Sequence, residues 1–376
     1  MLQQTPKLVF GSGCLTACRE RLLATGKAKV FVVTSPSNRV YAERLVHGFP
    51  EAEIDVSIAS EPTVGMFLRT LEQARRHKPS LVIGLGGGSP LDVAKLVAAF
   101  VQSDQPIHQA FGTGLLRERI VPLWCLPTTA GTGSEVSPNA VLLDESDAMK
   151  KGVISPYLVP DATFIDPELT MSVPASVTAA TGLDALTHCI EAYTNKFAHP
   201  LVDMYALEGV RLITAALPVA VREPRNLEAR EKMALGSLYG GLCLGPVNTA
   251  AVHALSYPLG GMFHVAHGHS NALLLPHVMR FNLPCATDRS AQIALAMGAK
   301  LQATAEQTAL VGLEILWGII RATGLEMRMK ALGIAWETIP SMSASAMTVT
   351  RLLKNNPREM TLADAEQIYR DAYCAK

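Results

Sequence analysis

From residue 1 to about 173, short continuous apolar runs alternate with stretches of helical period. Residues 28–34 form a Val-rich run of strand length; residues 80–85 and 121–126 form two more. Between them, Val64, Leu68, Leu71 and Ala74 fall near one face of a helix over 64–77, and another helix opens at Pro90. Runs that are apolar throughout belong to strands buried on both faces, so this part predicts a parallel sheet covered by helices on each side. Residues 139–144 and 152–155 flank a polar turn and predict a hairpin. After Pro174 the strand signal fades. Residues 175–195, 201–217, 226–244, 292–300 and 303–323 carry helical periodicity instead. The prediction is an α/β domain over 1–173, with a parallel sheet, followed by an all-α domain over 174–376. Pro167 and Pro174 punctuate the boundary.

Length and composition agree with two cores. A chain of 376 residues exceeds one ordinary core, and 49% hydrophobic against 18% charged residues excludes disorder. Lys plus Arg equals Asp plus Glu, at 33 each, so no global field exists to hold nucleic acid or an anionic membrane. A small molecule is the expected partner. No apolar signal segment follows a basic start in the first ten residues. No stretch approaches the roughly 20 apolar residues of a membrane helix; the richest, 309–320, is interrupted by Glu314. These features predict a cytoplasmic protein. The seven Cys are odd in number and scattered, which argues against a disulfide framework. Cys14 and Cys18 lie four apart on a predicted helix and read as structural, a metal pair being the other reading.

Four segments carry chemistry. The first, Gly84-Leu-Gly-Gly-Gly-Ser-Pro-Leu-Asp-Val-Ala-Lys95, follows a buried strand and opens a helix. Ser89 is expected as its N-cap and Pro90 as its first residue. Bare backbone at Gly86–Gly88 before a helix N-terminus suits a pyrophosphate; a tight strand-to-helix turn is the other reading. The second, Pro127-Thr-Thr-Ala-Gly-Thr-Gly-Ser-Glu135, offers many donors with little bulk, as a ligand-binding loop or an ordinary polar one does. In the third, Asp184 and His188 are four apart on a helix, Glu191 continues that face, and the pair suits two metal ligands or a surface ion pair. In the fourth, His253, His264, His267, His269 and His277 stand in an otherwise small and apolar stretch. His253 and His267 lie fourteen apart, enough to span a loop between two helices. With Asp184 and His188 they complete a set of three imidazoles and one carboxylate, which suits divalent iron or zinc. His264, His269 and His277 read as loop or supporting residues.

Together and in this order, these segments resemble the iron-containing (group III) alcohol dehydrogenases. The resemblance runs from Val9-Phe-Gly-Ser-Gly13 to Asn355-Asn-Pro and Ile368-Tyr-Arg-Asp-Ala-Tyr373. It implies a nicotinamide dinucleotide-binding α/β domain and a helical metal-binding domain, in the manner of dehydroquinate synthase. Its metal ligands fall on Asp184, His188, His253 and His267. Its phosphate-binding residues fall on Gly87 and Gly88, with Ser89 and Asp92 beside them. The second cofactor loop falls on Thr128, Thr129 and Thr132, with Ser137 and Lys150 nearby, and Asn139 matches a position facing substrate. Two positions depart from the family pattern. Tyr257 stands where many members have a His associated with proton transfer. Ser35, followed by Arg39, stands where NAD-preferring members carry a ribose-binding Asp, which leaves NADP as well as NAD.

The resemblance implies hydride transfer between NAD(P) and a small alcohol or aldehyde, with Fe2+, or Zn2+ in its place, acting as Lewis acid on the substrate oxygen. It also implies a homodimer or larger homo-oligomer. Maleylacetate reductases share the architecture, but their usual pattern lacks the Asp that stands here at 184. A dehydroquinate synthase-type lyase needs basic residues for a phosphorylated substrate, and residues 254–266 contain no Lys or Arg. A non-catalytic NAD-binding protein would be signalled by a broken quartet, whereas all four residues are present.

Overall fold

The structure is a computed structural model and describes residues 4–26, 29–59, 61–147 and 149–374. Residue 28 of the first predicted strand, and the first three residues of the chain, lie outside the described residues. The chain divides into two compact units, Met1–Met171 and Ser172–Lys376.

The first unit holds strands β1 (Lys7–Phe10), β2 (Val30–Thr34), β3 (Ala52–Asp55), β4 (Leu81–Gly86), β5 (Gly112–Thr113), β6 (Leu123–Pro127), β7 (Asn139–Asp144), β8 (Met149–Ile154) and β9 (Ala162–Ile165). Six of them form one parallel sheet in the order β1-β9-β6-β4-β2-β3. The interleaved helices are α1 (Cys14–Ala24), α2 (Arg39–Leu45), α3 (Val64–His77) and α4 (Gly88–Phe100). Side chains alternate across the sheet, as period two requires. Phe31, Val33, Val82 and Cys125 join the core beneath α3 and α4. Val30, Val32, Leu81, Ile83, Trp124 and Leu126 join the core beneath α1 and α2. Because both faces are covered, β2, β4 and β6 are free of charged residues and polar only at Thr34, which is the pattern that betrayed them.

The hairpin is β7 against β8, antiparallel, with β5 added parallel to β8. β1, β3 and β9 escaped the sequence reading because they are only four residues long. On α3 the buried face is Phe67, Thr70, Leu71 and Ala74, whereas Leu68, expected on that face, is exposed. The helix is rotated so that Phe67 enters the core.

The second unit is helical: α5 (Ala175–Thr194), α6 (Pro200–Arg222), α7 (Leu227–Leu244), α8 (Ala251–Phe263), α9 (His267–Asn282), α10 (Thr287–Ala296), α11 (Ala305–Thr323), α12 (Ile339–Met347), α13 (Thr350–Leu353) and α14 (Leu362–Tyr373). Asn226 and Thr304 accept backbone N–H bonds and start α7 and α11. The helix expected over 292–300 begins earlier, at Thr287, and has ended before Gly298, whose φ of 96° no helix continues. α6 runs on past Leu217 through Pro218 to Arg222. With 23 residues, α6 is long and apolar enough to cross a membrane, contrary to expectation. Its apolar side packs on α5, α7, α10 and α11, and it carries Asp203, Glu208 and Arg211.

All seven Cys are free; Cys14, Cys18, Cys125, Cys189 and Cys243 are buried, while Cys285 and Cys374 are exposed. Burial pushes the Cys14 thiol up to about 11 and the Cys18 thiol further. Both side chains pack into the core beneath α1 and α2, the structural reading of the pair.

Candidate metal centre and dinucleotide crevice

In the first unit the chain leaves β2 toward β3 on one side and leaves β4 toward β6 on the other. The adjacent carboxyl ends of β2 and β4 therefore flank a topological switch point, where open α/β sheets take ligands. Three loops meet there. Gly86 turns the chain at φ 154°, Gly87 is extended and caps α4, and no side chain caps that helix. A Cβ on Gly88 would lie 2.7 Å from Thr132 Cγ2, and one on Gly87 would lie 3.4 Å from Thr129. The second loop thus lies directly against the glycine turn. Thr128 N–H donates to Gly86 O at 2.9 Å and fixes its start. From β2, Ser35 accepts from Asn38 Nδ2 at 2.9 Å and lies 3.0 Å from Ser37 Oγ. Arg39 pairs with Glu43 in solvent.

Several expectations change here. Ser89 is not the N-cap: the glycines start α4 at Gly88, so Ser89 and Pro90 are its second and third residues. Pro is tolerated there because first-turn N–H groups have no helical partner. Asp92 is held by the protein itself. Its carboxylate accepts from Ser134 Oγ at 2.5 Å and from Val141 N at 2.9 Å. Lys95, wholly buried, donates to Ser134 Oγ (3.0 Å), Ser137 Oγ (3.3 Å) and Asn139 O (2.7 Å). Asp92 and Lys95 fasten the glycine-turn helix to the second loop and to β7. Burial drives Asp92 up and Lys95 down, each opposed by the other's charge, and pushes nearby Glu135 up to about 7. Ser137 is occupied by Lys95, and Lys150, on β8, forms an ion pair with Glu61. The Asn139 Oδ1 is buried without a hydrogen-bond partner among the described residues.

In the second unit, α5 carries Asp184, His188 and Glu191 on one face, and all three are buried. The Asp184 Oδ1 lies 3.8 Å from His188 Nε2, 3.7 Å from His253 Nε2 and 3.7 Å from His267 Nε2. The ligand atoms of Asp184, His188 and His253 lie within 4.8 Å of one another. Three imidazole nitrogens therefore converge on one carboxylate oxygen. Burial pushes the Asp184 carboxyl up, but the His188, His267 and His253 imidazoles outweigh it and the net direction is downward. His253 is on the first turn of α8, and His267 is the first residue of α9. The fourteen-residue spacing is therefore mostly α8 itself, closed by a three-residue turn in which His264 takes φ 56°.

The donor set fits a divalent cation. The Asn271 amide nitrogen, which carries positively polarised hydrogens, lies 2.6 Å from Asp184 Oδ1, 3.1 Å from His253 Nε2 and 3.3 Å from His267 Nε2. Three acceptors thus converge on one electropositive group, and a metal ion bound there would use the same lone pairs. Tyr257, the position expected to bear on proton transfer, follows His253 by four residues on α8.

Sequence reasoning missed Asn271, Gly268 and Lys95. The mate of Gly268 is far off in the chain: a Cβ there would strike the Ala180 carbonyl oxygen and come within 3.2 Å of Asp184 Cβ. The closing motifs of the chain hold α8 in place. Asn355 Nδ2 donates to Thr249 O at 2.7 Å, and Tyr369 OH to Leu255 O at 2.5 Å. Of the other His, His269 bonds Glu326 O and His277 packs on Trp317, so both are supporting residues.

Comparison with known proteins covers both units. Residues 5–167 match the iron-containing alcohol dehydrogenase profile, and residues 178–373 match the C-terminal part of the Fe-containing alcohol dehydrogenase family. The chain is 36% identical over 374 residues to long-chain-alcohol dehydrogenase 1 of Geobacillus thermodenitrificans (strain NG80-2), covering 96% of this chain and 94% of the relative. It is 31% identical to the NAD-dependent methanol dehydrogenase of Bacillus methanolicus, over 98% of each chain. Its fold matches a crystal structure of 1,3-propanediol oxidoreductase with a TM-score of 0.94 at 31% identity, covering 99% of this chain and all of that one.

Proposed function

This chain belongs to the iron-containing alcohol dehydrogenase family, and from that premise we infer which of its residues do the work. It is a metal-dependent oxidoreductase that moves a hydride between a nicotinamide dinucleotide and a small alcohol or aldehyde. The single observation that carries the site assignment is the convergence of three imidazole nitrogens on Asp184 Oδ1. Asp184, His188, His253 and His267 would hold the metal. When bound, the divalent ion supplies Lewis-acid polarisation of the substrate oxygen, and the nicotinamide supplies or accepts the hydride. Gly87 and Gly88 leave room for the pyrophosphate at the start of α4, with Thr128, Thr129 and Thr132 over it. Asp92 and Lys95 keep those two loops in register, Ser137 joins them through Lys95, and Lys150 stands nearby on the cofactor side. Asn139 orients substrate, and Tyr257, one helical turn from His253, hands on the alcohol proton.

A homodimer or larger homo-oligomer is supported by β1, an edge strand that among the described residues pairs on one side. A reducing cytoplasm is supported by seven unpaired thiols. The test is anaerobic reconstitution with ferrous iron, then with zinc, following reduced nicotinamide against a panel of alcohols and aldehydes. Metal-dependent turnover is expected; cofactor binding without turnover under any metal would sink the assignment.

Ser35 makes the cofactor choice testable. No carboxylate stands among residues 35–39, where an Asp or Glu would bind ribose hydroxyls and repel a 2′-phosphate. Both NAD and NADP are therefore expected to serve. Ser35→Asp should raise the KM for NADP about tenfold through like-charge repulsion while sparing NAD. Equal kinetics with both cofactors in that variant would remove Ser35 from the cofactor site.

A further inference from the structure

We propose that Glu191 is a positioning residue for the metal: its carboxylate fixes which nitrogen of His253 faces the ligand set. The proposal rests on the quartet reading above.

Glu191 lies two helical turns from Asp184 on the same face of α5, and it is 4% exposed. Both of its oxygens are engaged. Oε2 lies 2.6 Å from His253 Nδ1, and Oε1 accepts the Val252 N–H at 2.6 Å. A carboxylate accepts only, so His253 Nδ1 must carry the hydrogen. The lone pair then sits on Nε2, the atom aimed at Asp184 Oδ1 and Asn271 Nδ2. In the other tautomer an N–H would point into the place where lone pairs converge, and no cation could bind that nitrogen. The negative charge behind the ring also makes Nε2 a stronger donor.

The second oxygen does separate work. α8 begins at Ala251 after Ala250, which offers no side-chain cap. Glu191 Oε1 takes one of the first-turn N–H groups in its place, so α5 caps α8 from outside. The backbone from which His253 projects is thereby fixed to the helix carrying Asp184 and His188.

Glu191→Gln divides the two roles. The amide oxygen still accepts from Val252, but the amide NH2 then faces His253 Nδ1 and selects the wrong tautomer. Zinc affinity, measured on the full chain by competition with a chromophoric chelator, should fall about 10- to 100-fold. The visible absorption of the cobalt-loaded protein should change, while the melting temperature of metal-free protein stays near wild type. If metal-free Glu191→Gln melts far below wild type, the carboxylate serves the packing of α5 on α8 rather than the choice of tautomer, and the proposal fails. His253→Ala is run beside it. If His253→Ala binds zinc as wild type does, the quartet reading itself falls. If it loses zinc while Glu191→Gln keeps wild-type affinity, the quartet stands and the role of Glu191 alone is overturned.

Discussion

His267→Ala will lose its metal on dialysis and lower turnover roughly a thousandfold, equivalent to about 4 kcal/mol of lost stabilisation. His267 is the one member of the quartet with an accessible ring, 31% exposed against 2% for Asp184 and 5% for His188 and His253. It begins α9 rather than filling a core, so its removal leaves packing intact. Metal content by elemental analysis, far-ultraviolet circular dichroism and anaerobic turnover read the three consequences separately. A variant that keeps wild-type metal content and rate would show that His267 is a bystander at the rim.

The second large effect is expected at Gly268, the residue after it. The α9 backbone lies so close to α5 that a Cβ at 268 overlaps the Ala180 carbonyl. That oxygen belongs to helix backbone and cannot rotate away, so Gly268→Ala must push the start of α9 off α5. Overpacking of this kind costs about 1–3 kcal/mol. The displacement also carries His267 away from Asp184, so metal affinity falls together with thermal stability. Calorimetric melting of the metal-free variant and a zinc titration test the two parts. Unchanged melting with unchanged zinc affinity would mean that the close approach is not required.

How far the sequence reached depended on whether a residue's partners were near in chain or pattern. β2, β4 and β6 were legible because burial on both faces leaves a continuous apolar run, and α5 because its polar members recur with helical period. Asp184, His188, His253 and His267 could be gathered because His and Asp in apolar surroundings need a reason to be there. The structural ties of Asp92 were hidden for the converse reason. A carboxylate beside a glycine turn is expected to serve the ligand, and only the fold reveals Lys95 and Ser134 behind it. Gly268 and Asn271 left no pattern, since one acts through an absent side chain and the other through atoms 87 positions away in sequence. Boundaries slipped where glycine conformation decided them, at Gly88 and before Gly298.

The distribution of thiols gives the molecule a built-in gauge of its own opening. Cys14 and Cys125 have thiols pushed up to about 11 and about 12 by burial, Cys243 likewise to about 12, and Cys18 and Cys189 higher still than their ordinary value. These five are both inaccessible and un-ionised in the native state, whereas Cys285 and Cys374 stand in solvent. A thiol reagent meets the exposed pair at once and the rest only as each core opens. Three of the slow sites, Cys14, Cys18 and Cys125, belong to the first unit, and Cys189 and Cys243 to the second. Labelling mapped by mass spectrometry therefore reports separately, residue by residue, when each half of the chain lets go.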